Sequence, residues 1–231
     1  MANKFFGWKM DLGSRPYKAA LAWQERMVAY RQHGTVRDTL FYLSHPDVIT
    51  IGKNIDEKDI PKINGVECHR ITRGGGVTYH GPGQLVVYPI FDLKRRGKDL
   101  HKFIFDIEEG IIQALGTFGI KCRRYDEHTG VWVKRKKIAS IGIAVKRWIS
   151  YHGAAINLST DLSKFNSINP CGFDPKVMTS AKEELGREIP MENFMERLTE
   201  VYSMIFDTAF YDLDMEELIE IISLEESSQS L

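Results

Sequence analysis

The chain has 231 residues, 43% hydrophobic and 27% charged, a composition that fits a folded globular protein and excludes a disordered or fibrous one. Lysine plus arginine balances aspartate plus glutamate at 31 each, so net charge gives no attraction for nucleic acid. Three cysteines, Cys68, Cys122 and Cys171, are odd in number, widely spaced and form no CxxC pair, which argues against a disulfide framework or structural zinc and for a reducing compartment.

The opening residues contain no apolar run of signal-peptide length and no Arg/Ser-rich transit character. No stretch approaches the ~20 apolar residues of a membrane span. These features predict a cytoplasmic protein with no membrane partner. After Pro16, residues 17–32 place Ala20, Trp23, Met27 and Tyr30 on one helical face. Strand-like runs follow in "DTLFYLS", "DVITIGK", "VECHRIT", "GVTYH" and "QLVVYPIFDL", separated by Gly, Pro and Asn.

Residues 99–119 repeat apolar side chains at Leu100, Phe103, Ile107, Ile111, Leu115 and Phe118, the pattern of a long amphipathic helix. A second group of strands is expected in "GVWVK", "KIASIGIAV" and "YHGAAINLS". Residues 191–210 read as another helix, with Phe194, Leu198, Val201 and Ile205 as its buried stripe. Strands are grouped and helices segregated, so the class is α+β. With no linker composition anywhere, one domain is expected over residues 1–212. Residues 213–231 form an acidic end, read as a helix or tail that frays.

Four segments carry candidate chemistry. The first, "RGGGVTYHGPGQ" (Arg73 to Gln84), has five glycines, so its backbone can approach a ligand closely. It lacks the lysine of a P-loop and has strands on both sides, which disfavours a nucleotide-phosphate site. The second is Lys134 to Val145, where four consecutive basic residues enter an apolar run. Lys134, Arg135 and Lys136 read as a solvated hairpin end, whereas Lys137 abuts the buried run. The third is "YHGAAINLS", whose small Gly153, Ala154 and Ala155 leave room for an apolar chain or mark a bulge; His152 reads as a base or as a structural histidine. The fourth, "INPCGFD", holds Cys171 between Pro170 and Gly172, with Thr179 and Ser180 opening a short helix. A thiol needs a nearby cation or base to become a nucleophile, and Lys137 and His80 are the candidates.

In order and spacing, "HPDVITIGK", "RGGGVTYHGPGQLVVYPIFDL", "GVWVKRKKIASIGIAV", "WISYHGAAINLSTDLSKFNSINPCG" and "MTS" resemble the lipoyl (octanoyl) transferase family across residues 40 to 180. The resemblance implies the fold of the biotin and lipoate protein ligases, a sheet sandwich with flanking helices. It implies transfer of an octanoyl group from acyl carrier protein to a lysine of a lipoyl domain, the first step of lipoate biosynthesis. The implied acceptors are lipoyl domains of 2-oxoacid dehydrogenase complexes and the glycine cleavage H protein. Cys171 would be the acyl-thioester nucleophile, and Lys137 would lower its pKa. Substrate contacts would come from Arg73, Gly74, Gly75, Gly76, Val77, Thr78, Tyr79 and His80, from Ser140, Ile141 and Gly142, and from Gly153, Ala154 and Ala155. Cys68 and Cys122 match no family motif and read as structural.

Exchange of one thioester for another needs no nucleotide, so neither cofactor nor metal is expected. Three other readings remain. An ATP-dependent lipoate-protein ligase of the same fold would act on an acyl-adenylate and would not need the "PCG" thiol. A Cys–His hydrolase would pair Cys171 with His80 or His152. A non-catalytic module would bind acyl carrier protein or lipoyl domains.

Overall fold

A computed structural model of the chain describes residues 4–53, 55–56, 65–125, 128–168 and 174–228. Its elements in order are β1 (Phe5–Ser14), α1 (Tyr17–His33), β2 (Asp38–Ser44), β3 (Val48–Ile51), β4 (Glu67–Arg70), β5 (Val77–His80), β6 (Gln84–Ile90) and α2 (Leu100–Thr117). They continue with β7 (Arg123–Tyr125), β8 (His128–Val133), β9 (Lys136–Lys146), β10 (Ile149–Asn157), α3 (Ala181–Leu185), α4 (Met191–Ile205), β11 (Thr208–Asp212) and α5 (Met215–Ser228).

Eight strands form one sheet in the order β11-β1-β2-β6-β10-β9-β8-β7. Strand alternation sends successive side chains to opposite faces, and each face has its own core. Leu40, Tyr42, Leu85, Val87 and Ile156 pack on Phe103, Ile107 and Ile111 of α2 and on Phe194, Leu198 and Tyr202 of α4. Phe41, Leu43, Val86, Tyr88 and Ala155 turn the other way, toward Ala20, Met27 and Val28 of α1 and Leu218 and Ile222 of α5. The small sheet, in the order β4-β3-β5, also has two faces. Ile49, Ile51, Val77 and Tyr79 pack on Phe165, Ile168 and Met178. Val48 turns instead toward Tyr17 of α1. This mixed sheet with helices on both faces is the α+β sandwich expected.

Two regions differ from the expectation. Phe5–Ser14, assigned no element from the sequence, is a strand between β2 and β11, parallel to both. The helix expected to run to residue 210 stops at Ile205; Asp207 takes φ 49°, and Thr208–Asp212 then pairs with β1. At the acidic end Met215–Ser228 is helical and buries Leu218 and Ile222. Between β6 and α2 the chain passes through "LKRRGK" (Leu93 to Lys98). Within it Arg96 is a structural residue, donating to Asp38 Oδ2 at 2.8 Å and to the Phe206 carbonyl at 2.8 Å.

Candidate active site

Between the small sheet and the large one lies an open cavity, about 460 Å³ of space with its mouth included. Its floor is set by strand register. Ser140 pairs with Ala155 and Gly142 with Gly153, so four small residues of β9 and β10 lie together on the face that carries Val86 and Tyr88. The opposite wall is Ile71, Arg73, Gly75, Thr78 and His80, and Tyr17 of α1 closes one side. Ile141 and Ala154 also border the cavity, although both pack into the α2/α4 core.

The small residues have distinct causes. A Cβ at Gly142 would lie 2.7 Å from Arg73 Cδ, so Gly142 lets the glycine-rich loop settle onto β9. A Cβ at Gly153 would lie 1.9 Å from the Val87 carbonyl oxygen, so the close approach of β6 already demands a glycine there. Its neighbour His152 sits at φ 57°. Room for a ligand and close strand packing thus meet in the same segment.

Arg73 is buried, and a buried guanidinium requires acceptors. Its Nη1 donates to the Gly74 carbonyl at 2.9 Å, and its Nη2 to the Thr50 carbonyl at 3.0 Å and to Thr50 Oγ1 at 2.9 Å. Three buried histidines surround it. Burial, then the neighbouring His45 and Arg73, push the His80 imidazole down to about 3. Burial and then Arg73 bring His152 to about 4, and burial lowers His45. All three are neutral at pH 7. His80 is fully engaged, with Nδ1 2.8 Å from Gln84 Oε1 and Nε2 3.3 Å from Thr50 Oγ1. Three buried polar atoms bordering the cavity, Tyr17 OH, Thr78 Oγ1 and His152 Nε2, have no hydrogen-bond partner among the described residues.

Lys137 stands at the start of β9, 4% exposed. Its Nζ lies 5.3 Å from the Trp132 ring centroid, a cation–π distance, and a Cβ on Gly130 would come within 3.1 Å of it. The Gly130 amide donates to Glu108 Oε1 at 2.8 Å. Burial raises the Glu108 carboxyl, opposed by the Gly130 amide, Arg124 and the Lys137 charge. The Lys137 backbone bridges Met178, and its carbonyl accepts from Thr179 N at 3.0 Å.

Cys171 lies outside the described residues. Ile168 before it and Met178 after it pack in one core cluster, and Met178 is the residue that bridges Lys137. The surroundings of the other two thiols favour the protonated form. Burial, with Glu184 nearby, pushes Cys122 up to about 12, and burial raises Cys68.

Among the expected contact residues, Gly74 and Gly76 do not border the cavity, and Val77 and Tyr79 face away from it. Tyr79 donates instead to Asp47 Oδ1 at 2.8 Å. Tyr17, Ile71, Val86 and Tyr88 border the cavity but were not among the sequence candidates. Only the Pro16–Tyr17 helix start signalled the first of them. Among the described residues no group of three His, Cys, Asp or Glu side chains is placed to hold a metal, and no helix is long and apolar enough to cross a membrane.

Residues 16–203 match the family model described as lipoyl protein ligase A/B catalytic domain. An octanoyltransferase of Geobacter metallireducens is 45% identical over 183 residues, covering 78% of this chain and 84% of that protein. An octanoyltransferase of Thermosynechococcus vestitus is 41% identical over 217 residues, covering 92% and 96%. Among solved structures, lipoate-protein ligase A bound with ATP has a TM-score of 0.75 at 16% identity, covering 95% of this chain and 94% of the ligase. The apo biotin protein ligase of Aquifex aeolicus has a TM-score of 0.52 at 12% identity, covering 87% and 69%. At such low identities these two establish a shared fold only.

Proposed function

The chain belongs to the lipoyl protein ligase A/B catalytic-domain family, and from that premise we propose that it carries an octanoyl group from acyl carrier protein to a lysine of a lipoyl domain through a thioester on Cys171. It is an acyltransferase of lipoate biosynthesis, as its octanoyltransferase relatives are named. The observation that carries the proposal is the small-residue floor lying on the strand whose second residue is Lys137. At ~3.3 Å per residue, Ser140 is about 10 Å and Gly142 about 16 Å along β9 from Lys137. An extended eight-carbon chain, at ~1.3 Å per carbon from standard bond lengths, spans about 9 Å. Laid with its tail over Gly142 and Gly153, such a chain would pass over Ser140 and Ala155, and its carbonyl would lie about 7 Å along the strand from Lys137.

In the first step the Cys171 thiolate attacks the donor thioester, forms a new S–C bond and expels the carrier thiolate, which takes up a proton. In the second, the acceptor lysine amine attacks the enzyme thioester, the amide forms, and the amine proton returns to the Cys171 sulfur. Lys137 serves both steps, its charge favouring the thiolate and its amine relaying the proton. Thioester exchange is nearly neutral and amide formation runs downhill, so no nucleotide enters. The same reading gives a cytoplasmic enzyme whose acceptors are lipoyl domains of 2-oxoacid dehydrogenase complexes and the glycine cleavage H protein.

Intact-mass analysis tests this directly. Octanoyl-carrier protein alone should leave one octanoyl group on Cys171, and added lipoyl domain should discharge it without ATP. An ATP requirement, or acylation mapped to Cys68 or Cys122, overturns the proposal in favour of ligase chemistry or a different nucleophile.

A further inference from the structure

An unbroken run of buried hydrogen bonds crosses the molecule from the cavity wall to Lys137. Arg73 Nη2 donates to Thr50 Oγ1 at 2.9 Å, and that hydroxyl donates to His80 Nε2 at 3.3 Å. His80 Nδ1 donates to Gln84 Oε1 at 2.8 Å, and Gln84 Nε2 to Asn157 Oδ1 at 2.9 Å. Asn157 Nδ2 donates to the Thr179 carbonyl at 3.0 Å, and Thr179 N to the Lys137 carbonyl at 3.0 Å. Every side chain in the run is more than nine-tenths buried. The direction of each link follows from its neighbours. Gln84 Nε2 donates to the Tyr79 carbonyl at 3.3 Å as well as to Asn157, so Gln84 Oε1 faces His80 and accepts from Nδ1. In the neutral ring Nε2 is then the acceptor, so the Thr50 hydroxyl donates to it, and the Gln84 amide orients that of Asn157.

We propose that Gln84 and Asn157 are positioning residues that hold the Lys137–Thr179 backbone in register with the acyl cavity. Neither borders the cavity, and neither side chain touches Lys137; they act through the two carbonyls. The need for such a link is topological. Arg73 and His80 belong to the small sheet and its loop, Lys137 to the large sheet, and Thr179 to the segment that returns after Cys171. A buried polar network with each donor and acceptor matched fixes one arrangement, because a mismatch leaves a buried group unsatisfied. The inference rests on the acyl-transfer reading above.

Asn157→Asp is the discriminating variant. It keeps shape and the acceptor facing Gln84 but replaces the donor facing the Thr179 carbonyl with an acceptor. The charged and titratable groups along this network are Lys137, Arg73 and the neutral His80, with Glu183 and Glu184, the two acceptors of the Thr179 hydroxyl. Protonation of the new carboxyl restores a donor. At pH 8 the variant should transfer octanoyl at least about 10-fold more slowly in kcat, with KM for the donor within about twofold of wild type. Relative to wild type, the rate should recover between pH 8 and pH 6. Hydrogen exchange at the Thr179 amide should quicken in parallel, a readout independent of catalysis. Gln84→Leu should have a similar effect, and the double variant should cost no more than the worse single one.

A wild-type kcat at every pH, or a loss that merely follows the melted fraction, overturns the proposal. Slow transfer with Thr179 exchange unchanged overturns it too. If the wild-type protein transfers no octanoyl group, the functional reading fails, and the coupling itself is then decided by Thr179 exchange alone.

Discussion

Gly142→Ala separates the role of the cavity from the stability of the fold. The backbone at Gly142 is not left-handed, so alanine is conformationally allowed there, and in a strand it gains ~0.4–1 kcal/mol by restricting the unfolded chain. The new Cβ, however, would lie 2.7 Å from Arg73 Cδ, when ordinary contact begins at 3.4 Å, and 3.2 Å from the Gly74 carbonyl oxygen. Arg73 must therefore give way by several tenths of an ångström. Its guanidinium is tied to Thr50 at 2.9 and 3.0 Å and to Gly74 at 2.9 Å. Loss of one such charge-assisted bond costs about 1.5–3 kcal/mol, equivalent to roughly 10- to 150-fold in kcat/KM if it is felt in the transition state. Steady-state transfer from octanoyl-carrier protein, measured per folded molecule, should fall by that factor, while Tm drops by about 2–4 °C per kcal/mol lost. Gly153→Ala is the counterpart: its Cβ meets the Val87 carbonyl at 1.9 Å, so that variant should lose stability before activity per folded molecule. Wild-type kcat/KM in Gly142→Ala, or a loss explained by unfolding, would refute the reasoning.

Lys137→Met should raise the pH at which iodoacetamide alkylates Cys171 and cut transfer by about 10²-fold or more. Lys137→Arg keeps charge but exchanges no proton near neutral pH, so it should alkylate like wild type yet transfer poorly; wild-type turnover in the arginine variant would remove the proton-relay role. Acidification should destabilise the protein through His45, His80 and His152, whose folded values lie below the usual 6.5. Their contribution is present above pH 6.5 and is lost as pH falls toward about 4 and about 3 for His152 and His80, at up to ~1.4 kcal/mol per histidine per pH unit. A melting temperature flat from pH 7 to pH 4 would contradict this. Ala155→Val should fill the cavity floor opposite Ser140 and move the preferred donor from eight carbons toward six, since each buried methylene contributes about 0.8 kcal/mol; an unchanged ratio of six- to eight-carbon rates would place the acyl chain elsewhere.

What the sequence by itself determined is whatever rests on short-range periodicity and on motif order. "DTLFYLS" became β2 residue for residue, "GVTYH" contains β5, and the heptad-like spacing from Leu100 to Leu115 became α2. The ordered motifs identified the family, because their chemistry is written in neighbouring residues. Tertiary structure alone decided the rest. β1 lacks clean alternation and is a strand because it pairs with β11, Phe5 opposite Thr208, about two hundred positions away. Tyr17 enters the cavity wall because α1 packs against β6 and β10. In β5, Val77 and Tyr79 alternate with Thr78 and His80, a pattern visible in the sequence, yet which pair faces the cavity depends on where the large sheet lies. That Thr50 and Gln84 occupy both ring nitrogens of His80, a candidate base on sequence grounds, shows only in the folded chain. The common reason is that side-chain periodicity is a property of one segment, whereas the pairing of strands and the satisfaction of buried polar groups belong to residues that meet only when the chain has folded.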